Sequence, residues 1–328
     1  MAGPGFGKVF FTLGGAEANE NAIKIARMVT GRYKVLSRYR SYHGASMGAL
    51  SLTGDYRRPP LEPAMVGAVK ALDCYCDRCP FGKEVSSCAR ECATSLGDVL
   101  ALEGNVGAVF LEPVPGANGV LVPAGRLLAE GPRRVRRERR APRRRRGALW
   151  LRAHGTLARA PALGATPDLI TVSKGLTGGY GVLGAVIVHE RVARFFDEHT
   201  LLAGLTHYAH PLGIAAALEA LAVYEDEGLV ERAEALGPRL LSMLESVRAR
   251  HACVRFTRGL GLLAALELEL DDAALARLGQ ALSRRRVHAH LRKRERTLVL
   301  APPLCIAEED LALGARLVEE AIAEAAAG

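Results

Sequence analysis

The sequence predicts an α/β protein: a mostly parallel sheet covered by helices, followed by a smaller α/β domain at the C-terminal end. Three observations carry that reading. Short β-branched and aromatic runs alternate with helical stretches over residues 8–190. The loops that follow those runs are glycine-rich or polar. From Leu212 onward the pattern turns helical, and two further strand-like runs come after it.

KVFFTL (8–13) reads as a buried strand that Gly14-Gly15 breaks off. In the following AEANENAIKIARMVTG, Ala18, Ala22, Ile25 and Ala26 recur at helical spacing, Glu17 and Glu20 sit in the first turns, and Gly31 marks the stop. YKVLSRY (33–39) is a second strand, leading into SYHGASMGALSLTG. GAVFLEPV (107–114) is a third, closing on a carboxylate and a proline. DLITVS (168–173) is a fourth, ending at Lys174 and a glycine-rich turn, and GAVIVHE (184–190) is a fifth. GLGLLAALELEL and TLVLAPPLCI supply strands to the second domain, which places a large domain at 1–220 and a small one at 221–328.

Composition narrows the classes. With 49% apolar and 24% charged residues among 328, wholesale disorder is excluded. Mean hydropathy is +0.09, and no stretch approaches the roughly 20 uncharged apolar residues that cross a bilayer. MAGPGFGKVF lacks the basic-then-apolar pattern of a secretory signal, so a soluble, cytoplasmic protein without a membrane partner is expected. The net charge of +9 is local: residues 126–160 hold 13 arginines against Glu130 and Glu138, and the rest of the chain nets −2. Arginine runs bind phosphate backbones, but no recognition fold accompanies this one and aromatics total 5%, so nucleic acid is not the expected partner.

Several residues stand where chemistry is done. A glycine turn between strand and helix presents free N–H groups at the positive end of a helix dipole, a natural phosphate site, and Gly14-Gly15-Ala16 fits it; glycine also opens helices for packing reasons. Lys174 lies where a strand gives out into GLTGGYG, the end of an open α/β sheet at which ligands collect, and a lysine there can form a Schiff base with a carbonyl compound. Tyr42-His43-Gly44 offers an aromatic face beside a glycine, suited to a flat ring, or an ordinary core tyrosine. Thr206 has a hydroxyl for a phosphate or for a helix N-cap. Cys74, Cys76, Cys79, Cys88 and Cys92 fall within 19 residues, and Cys76 and Cys79 have metal-ligand spacing; no second C-x-x-C follows, so a reduced surface loop without metal is expected.

Taken together and in order, VFFTLGGAEANENAIKIAR, SYHGASMGALSLTG, VFLEPVPGANGVLVP, PDLITVSKGLTGGYGVLGAVI, GLTHYAHPLGIAAALEAL and APPLCI resemble the class III aminotransferases, fold-type-I enzymes that use pyridoxal 5′-phosphate (PLP). The resemblance implies that Lys174 holds PLP and moves the proton during transamination. It implies that Gly15 and Ala16 bind the phosphate through their backbone, that Tyr42 stacks on the ring with His43 beside it in the cofactor set, and that Glu112 joins the hydrogen-bond network next to the ring. Thr206 would reach the phosphate of the other subunit of a homodimer. Family members that bind an α-carboxylate often carry arginine two residues before APPL; Val299 stands there, which favours an amine or ω-amino acid donor. The cysteine-rich insert resembles the taurine–pyruvate and ω-aminotransferase branch, with a 2-oxo acid such as pyruvate as acceptor. A decarboxylase or aminomutase of the same family is the alternative chemistry, and a PLP-binding relic without turnover the alternative fate.

Two departures qualify the resemblance. The chain begins almost on the phosphate motif, where the family carries a substantial N-terminal segment. The family also has a strand ending in Asp-Glu-Val between the Glu-Pro motif and the lysine, its aspartate pairing with the pyridine nitrogen; here no aspartate occurs between Asp98 and Asp168. The interval from Gly125 to Pro167 keeps about the family's length, and its arginine, alanine, proline and glycine content suggests a compensated frameshift across 126–163. Aligned by length, the missing acid falls at Arg144–Arg145. The expectation is that this segment loops into solvent, leaves the sheet one strand short, and impairs transamination.

Overall fold

The computed structural model describes residues 3–123, 149–153 and 166–327. The chain divides into two compact units, 1–113 with 123–222, and 114–122 with 223–328.

The first unit is built on a seven-stranded sheet. Its strands are β1 (Phe6–Thr12), β2 (Lys34–Arg38), β3 (Ala68–Ala71), β4 (Val106–Leu111), β5 (Leu149–Ala153), β6 (Leu169–Val172) and β7 (Gly184–His189), in the order β1-β7-β6-β5-β4-β2-β3. Pairs β3–β2, β2–β4, β4–β5 and β5–β6 are parallel, whereas β7 runs antiparallel to both β6 and β1. Six strands therefore point the same way and deliver their carboxyl ends to one edge. All six residues of β4 are buried, which fits a strand covered on both faces.

Helix α1 (Gly15–Thr30) lays Ala18, Ala22, Ile25, Ala26 and Val29 on the sheet and ends at Gly31, whose φ of 65° is the left-handed C-cap its sequence announces. Helices α2 (Met47–Leu52) and α3 (Glu91–Glu103) follow β2 and β3. Helix α4 (Pro211–Asp226) closes on Gly213, where a Cβ would come within 2.6 Å of the Val182 carbonyl.

One expectation is corrected here. The sheet is not a strand short: Leu149–Ala153, inside the arginine-rich interval, pairs with β4 on one side and β6 on the other. The reason is that a gap between β4 and β6 would strand the backbone groups of two buried strands, and LWLRA can fill the ladder because the ladder uses only main-chain atoms. The expected excursion into solvent and Arg144–Arg145 lie outside the described residues. β3 went unread because four residues, AVKA, give no periodicity to read.

The second unit is a four-stranded antiparallel sheet, β8 (Val254–Leu260), β9 (Leu263–Leu268), β10 (His290–Arg292) and β11 (Thr297–Leu300), in the order β10-β11-β9-β8. Helices α5 (Leu229–Arg250), α6 (Asp272–Arg284) and α7 (Glu308–Ala327) cover it, and Leu240, Leu244, Leu266, Leu275, Leu278 and Ile322 form its centre. Residues 114–122 join this unit: Val120 packs on Ala265 and Val299, and Arg258 Nε donates to the Gly119 carbonyl (2.6 Å) while its Nη1 pairs with Glu267 (2.9 Å). Val299 is thus a buried core side chain of this unit.

Candidate active site

The shared edge is assembled from strand ends. At the end of β1, Thr12 Oγ1 donates to the Gly14 carbonyl (3.0 Å), and a Cβ on Gly184 would sit 2.6 Å from both of those oxygens, so glycine is what lets β7 start against the turn. Helix α1 then begins at Gly15 with no side-chain cap. Its first N–H groups have no partner along the helix. No atom lies within 4 Å of where a Gly14 Cβ would stand, so the space in front of this helix end is open.

The end of β6 lies beside it. Ser173 Cβ is 3.5 Å from the place a Gly15 Cβ would take, and the next residue is Lys174. Lys174 is exposed and holds φ 53°, the left-handed region that a residue with a Cβ seldom adopts. Such strain persists where the surroundings over-determine the backbone, often at functional positions.

The loop after β2 closes the site from another side. Tyr42 N–H donates to Glu112 Oε1 (2.9 Å), which links the ends of β2 and β4. Gly44 lies flat on α1: a Cβ there would come within 2.9 Å of Ala16 Cα. Asn19 ties three elements, its Nδ2 donating to the His43 carbonyl (2.6 Å) and its Oδ1 accepting from Thr171 Oγ1 (2.9 Å) on β6. Arg57 lies over the Tyr42 ring, 4.0 Å from its centroid, and is gripped by the nearly buried carboxylate of Asp55 (2.5–3.2 Å). Asp55 holds the Arg57 guanidinium above its ordinary pKa.

The structure therefore brings Gly15, Ala16, Tyr42, Glu112 and Lys174 to one edge. His43 lies in the same loop, but its ring is buried edge-on to Phe110, with neither nitrogen hydrogen-bonded; burial, then the nearby Lys70 ammonium, lower its pKa to about 3. Thr206 is exposed in a turn between β7 and α4. Because α4 starts at Pro211, Thr206 does not cap that helix. Asn19, Thr171, Asp55 and Arg57 escaped sequence reading. Asn19 did leave a signal, a polar residue on the apolar face of α1; Arg57 left none, since an arginine in DYRRP looks like any surface cation.

The family model described as "Aminotransferase class-III" matches residues 1–133 and 147–322. The chain belongs to the class III aminotransferases. It is 34% identical over 285 residues to a probable aminotransferase of Mycobacterium tuberculosis, an alignment spanning 81% of this chain and 59% of the relative. To the diaminobutyrate–2-oxoglutarate transaminase of Halomonas elongata it is 33% identical over 301 residues, 84% of this chain and 62% of the relative. The chain thus spans about three fifths of the length of these two relatives. Among solved structures it resembles the taurine:2-oxoglutarate aminotransferase of Bifidobacterium kashiwanohense in complex with PLP and glutamate, with a TM-score of 0.89 and 30% identity over 98% of this chain and 76% of that one.

The family's cofactor is PLP, a phosphate-bearing aromatic aldehyde, and the edge described above fits such a group. The α1 terminus is uncapped and faces open space for an anion, Tyr42 has an aromatic face, and an exposed lysine follows Ser173, whose Cβ approaches Gly15. Among the described residues no group of three or more His, Cys, Asp or Glu is arranged to hold a metal ion, and no helix is long and apolar enough to cross a membrane.

Proposed function

We propose that this chain binds PLP at the shared edge and transfers an amino group from an amine or ω-amino acid to a 2-oxo acid such as pyruvate. The observation that supports the proposal is the approach of Ser173 Cβ to within 3.5 Å of where a Gly15 Cβ would stand, one residue before Lys174 and at a helix terminus without a side-chain cap. When bound, PLP supplies an electron sink for the substrate carbon that loses its proton.

The chain's own residues do the rest. Lys174 Nζ would hold the cofactor and, as a free amine, would move a proton to and from the reacting carbon. The N–H groups of Gly15 and Ala16 bind the phosphate, where the helix dipole favours negative charge. Tyr42 stacks on the ring, its position set by the Glu112 carboxylate at its N–H and by Arg57 on its face. His43 supports the loop from beneath. Thr206 acts on the phosphate bound by a second copy of the chain. Exposed apolar side chains in the sequence around it, Tyr180, Val182, Leu202, Leu212 and Leu218, give that copy a surface to cover.

Val299, apolar where α-carboxylate binders carry arginine, supports the choice of donor. Turnover is impaired in this reading, because β5 reads LWLRA and brings no carboxylate to keep a pyridine nitrogen protonated. The test is spectroscopic. Adding PLP to the purified chain gives a visible band above roughly 400 nm, and Lys174→Ala removes it. The reading fails if the wild type gives no band, or if the band survives in the variant. Adding an amine donor then separates binding, a static band, from turnover, a band that bleaches and returns with a 2-oxo acid.

A further inference from the structure

The cysteine-rich insert, which the proposed reaction does not use, forms a site of its own. All five of its cysteines line one pocket, together with Asp73, Tyr75, Phe81 and Arg90. Cys74 is buried directly after β3, and Cys92, at the start of α3, packs on it with Ala93.

Arg38, the last residue of β2, is 4% exposed and donates through Nη1 to Cys74 Sγ (2.8 Å), while its Nε is buried with no hydrogen-bond partner. A guanidinium does not lose its proton in a protein, so Arg38 is a permanent buried donor that fixes the position of the sulfur it touches. At Cys92, burial pushes the thiol up to about 11, so it stays protonated at neutral pH.

We propose that Cys74 and Cys92 are a dithiol that closes reversibly to a disulfide by exchange with a small-molecule disulfide such as oxidised glutathione. Cys92, the more accessible of the two, attacks one sulfur of the small disulfide; a Cys92–S–S–R bond forms, R–S–S–R breaks, and one RS⁻ leaves carrying the electron pair. Cys74 then attacks Cys92 Sγ, forming the Cys74–Cys92 bond and releasing the second RS⁻. The two protons of the cysteines end on the two released thiols, so two cysteines are oxidised as one small disulfide is reduced. Closure turns Cys74 Sγ from an acceptor for a buried cation into a bridged sulfur. Arg38 lies four residues before Tyr42, and Asp73, the neighbour of Cys74, accepts the Arg40 N–H through both carboxylate oxygens (3.0 and 3.1 Å). The pocket and the loop after β2 therefore share their anchors.

The test uses the reduced full-length chain, incubated with oxidised glutathione and then alkylated and mapped by mass spectrometry. The expected result is the loss of two alkylatable thiols of the seven, a Cys74–Cys92 cross-linked peptide that dithiothreitol reverses, and closure at least tenfold slower in Arg38→Met. Because Cys92 must first ionise, the rate should rise about tenfold per pH unit between pH 7 and 9. Three outcomes overturn the proposal: Cys74 and Cys92 both remain alkylatable, a different pair carries the cross-link, or the reduced chain holds an equivalent of zinc that protects four of the thiols.

Discussion

The two units bury polar groups in contrasting ways. In the first, Thr12, Asn19, Ser37, Arg38, Ser41, His43, Asp55, Asp73 and Thr171 are all at least 92% buried, and most of them sit at or near the carboxyl ends of its parallel strands. In the second, buried polarity is confined to a few residues, chiefly Arg258 paired with Glu267, and Arg292 paired with Glu295, around one apolar core. Burying a polar group costs free energy unless it is bonded. A unit that concentrates such groups at one edge spends stability to hold a loop and a helix end in place, whereas the second invests its residues in packing.

That contrast can be broken most sharply at Lys174. It is exposed, so Lys174→Ala should leave the urea midpoint within about 0.5 kcal/mol of wild type while lowering any turnover by about 10³-fold or more. A large loss of stability would mean that the residue is structural. In the second unit the ranking reverses. Glu267→Ala removes the carboxylate partner of Arg258, whose side chain is 7% exposed, and should cost about 3–5 kcal/mol in urea unfolding. Leu275→Ala, at a fully buried position, should cost about 3 kcal/mol through the cavity it leaves. If both fall below about 1 kcal/mol, packing in this unit is looser than the buried cluster implies.

How much of this was legible beforehand follows the same division. Gly14-Gly15, Gly31 and the Lys174 turn are local signals, in which backbone chemistry dictates the residue, and each lies where the sequence puts it. β5 was not legible: LWLRA carries none of the acids that mark its place in the family, and what holds it is the ladder offered by β4 and β6. Nor was the stacking of Arg57 on Tyr42, a contact across 15 positions set by tertiary structure. The join of 114–122 to the second unit was hidden for the same reason, since a buried arginine on β8 and the Gly119 carbonyl are 139 positions apart.

The finest distinction separates two bases of the first unit by pH. The native state holds His43 neutral down to about pH 3, while the unfolded chain takes up a proton near 6.5. Between those values the unfolded state binds the extra proton, so stability falls as pH is lowered, by up to about 1.4 kcal/mol per pH unit. Lys70 obeys the same sign in a higher window. Burial, then repulsion from Arg58, brings its pKa from 10.5 to about 7, so stability rises with pH between 7 and 10.5. That upper slope should be the shallower one, because Lys70 Nζ donates to Ser37 Oγ, Ser51 O and Leu52 O (2.7–2.8 Å), three acceptors that favour the ammonium form. His43→Phe, which keeps the edge contact with Phe110 and removes two unbonded nitrogens, should flatten the lower window and leave the upper one intact. Lys70→Met should flatten the upper window and, by removing a charge that repels protonated His43, move the acid end of the lower one up by a few tenths of a unit or less. Urea titrations at half-unit pH steps resolve the two; a lower slope that persists in His43→Phe would assign the acid sensitivity to the carboxylates instead.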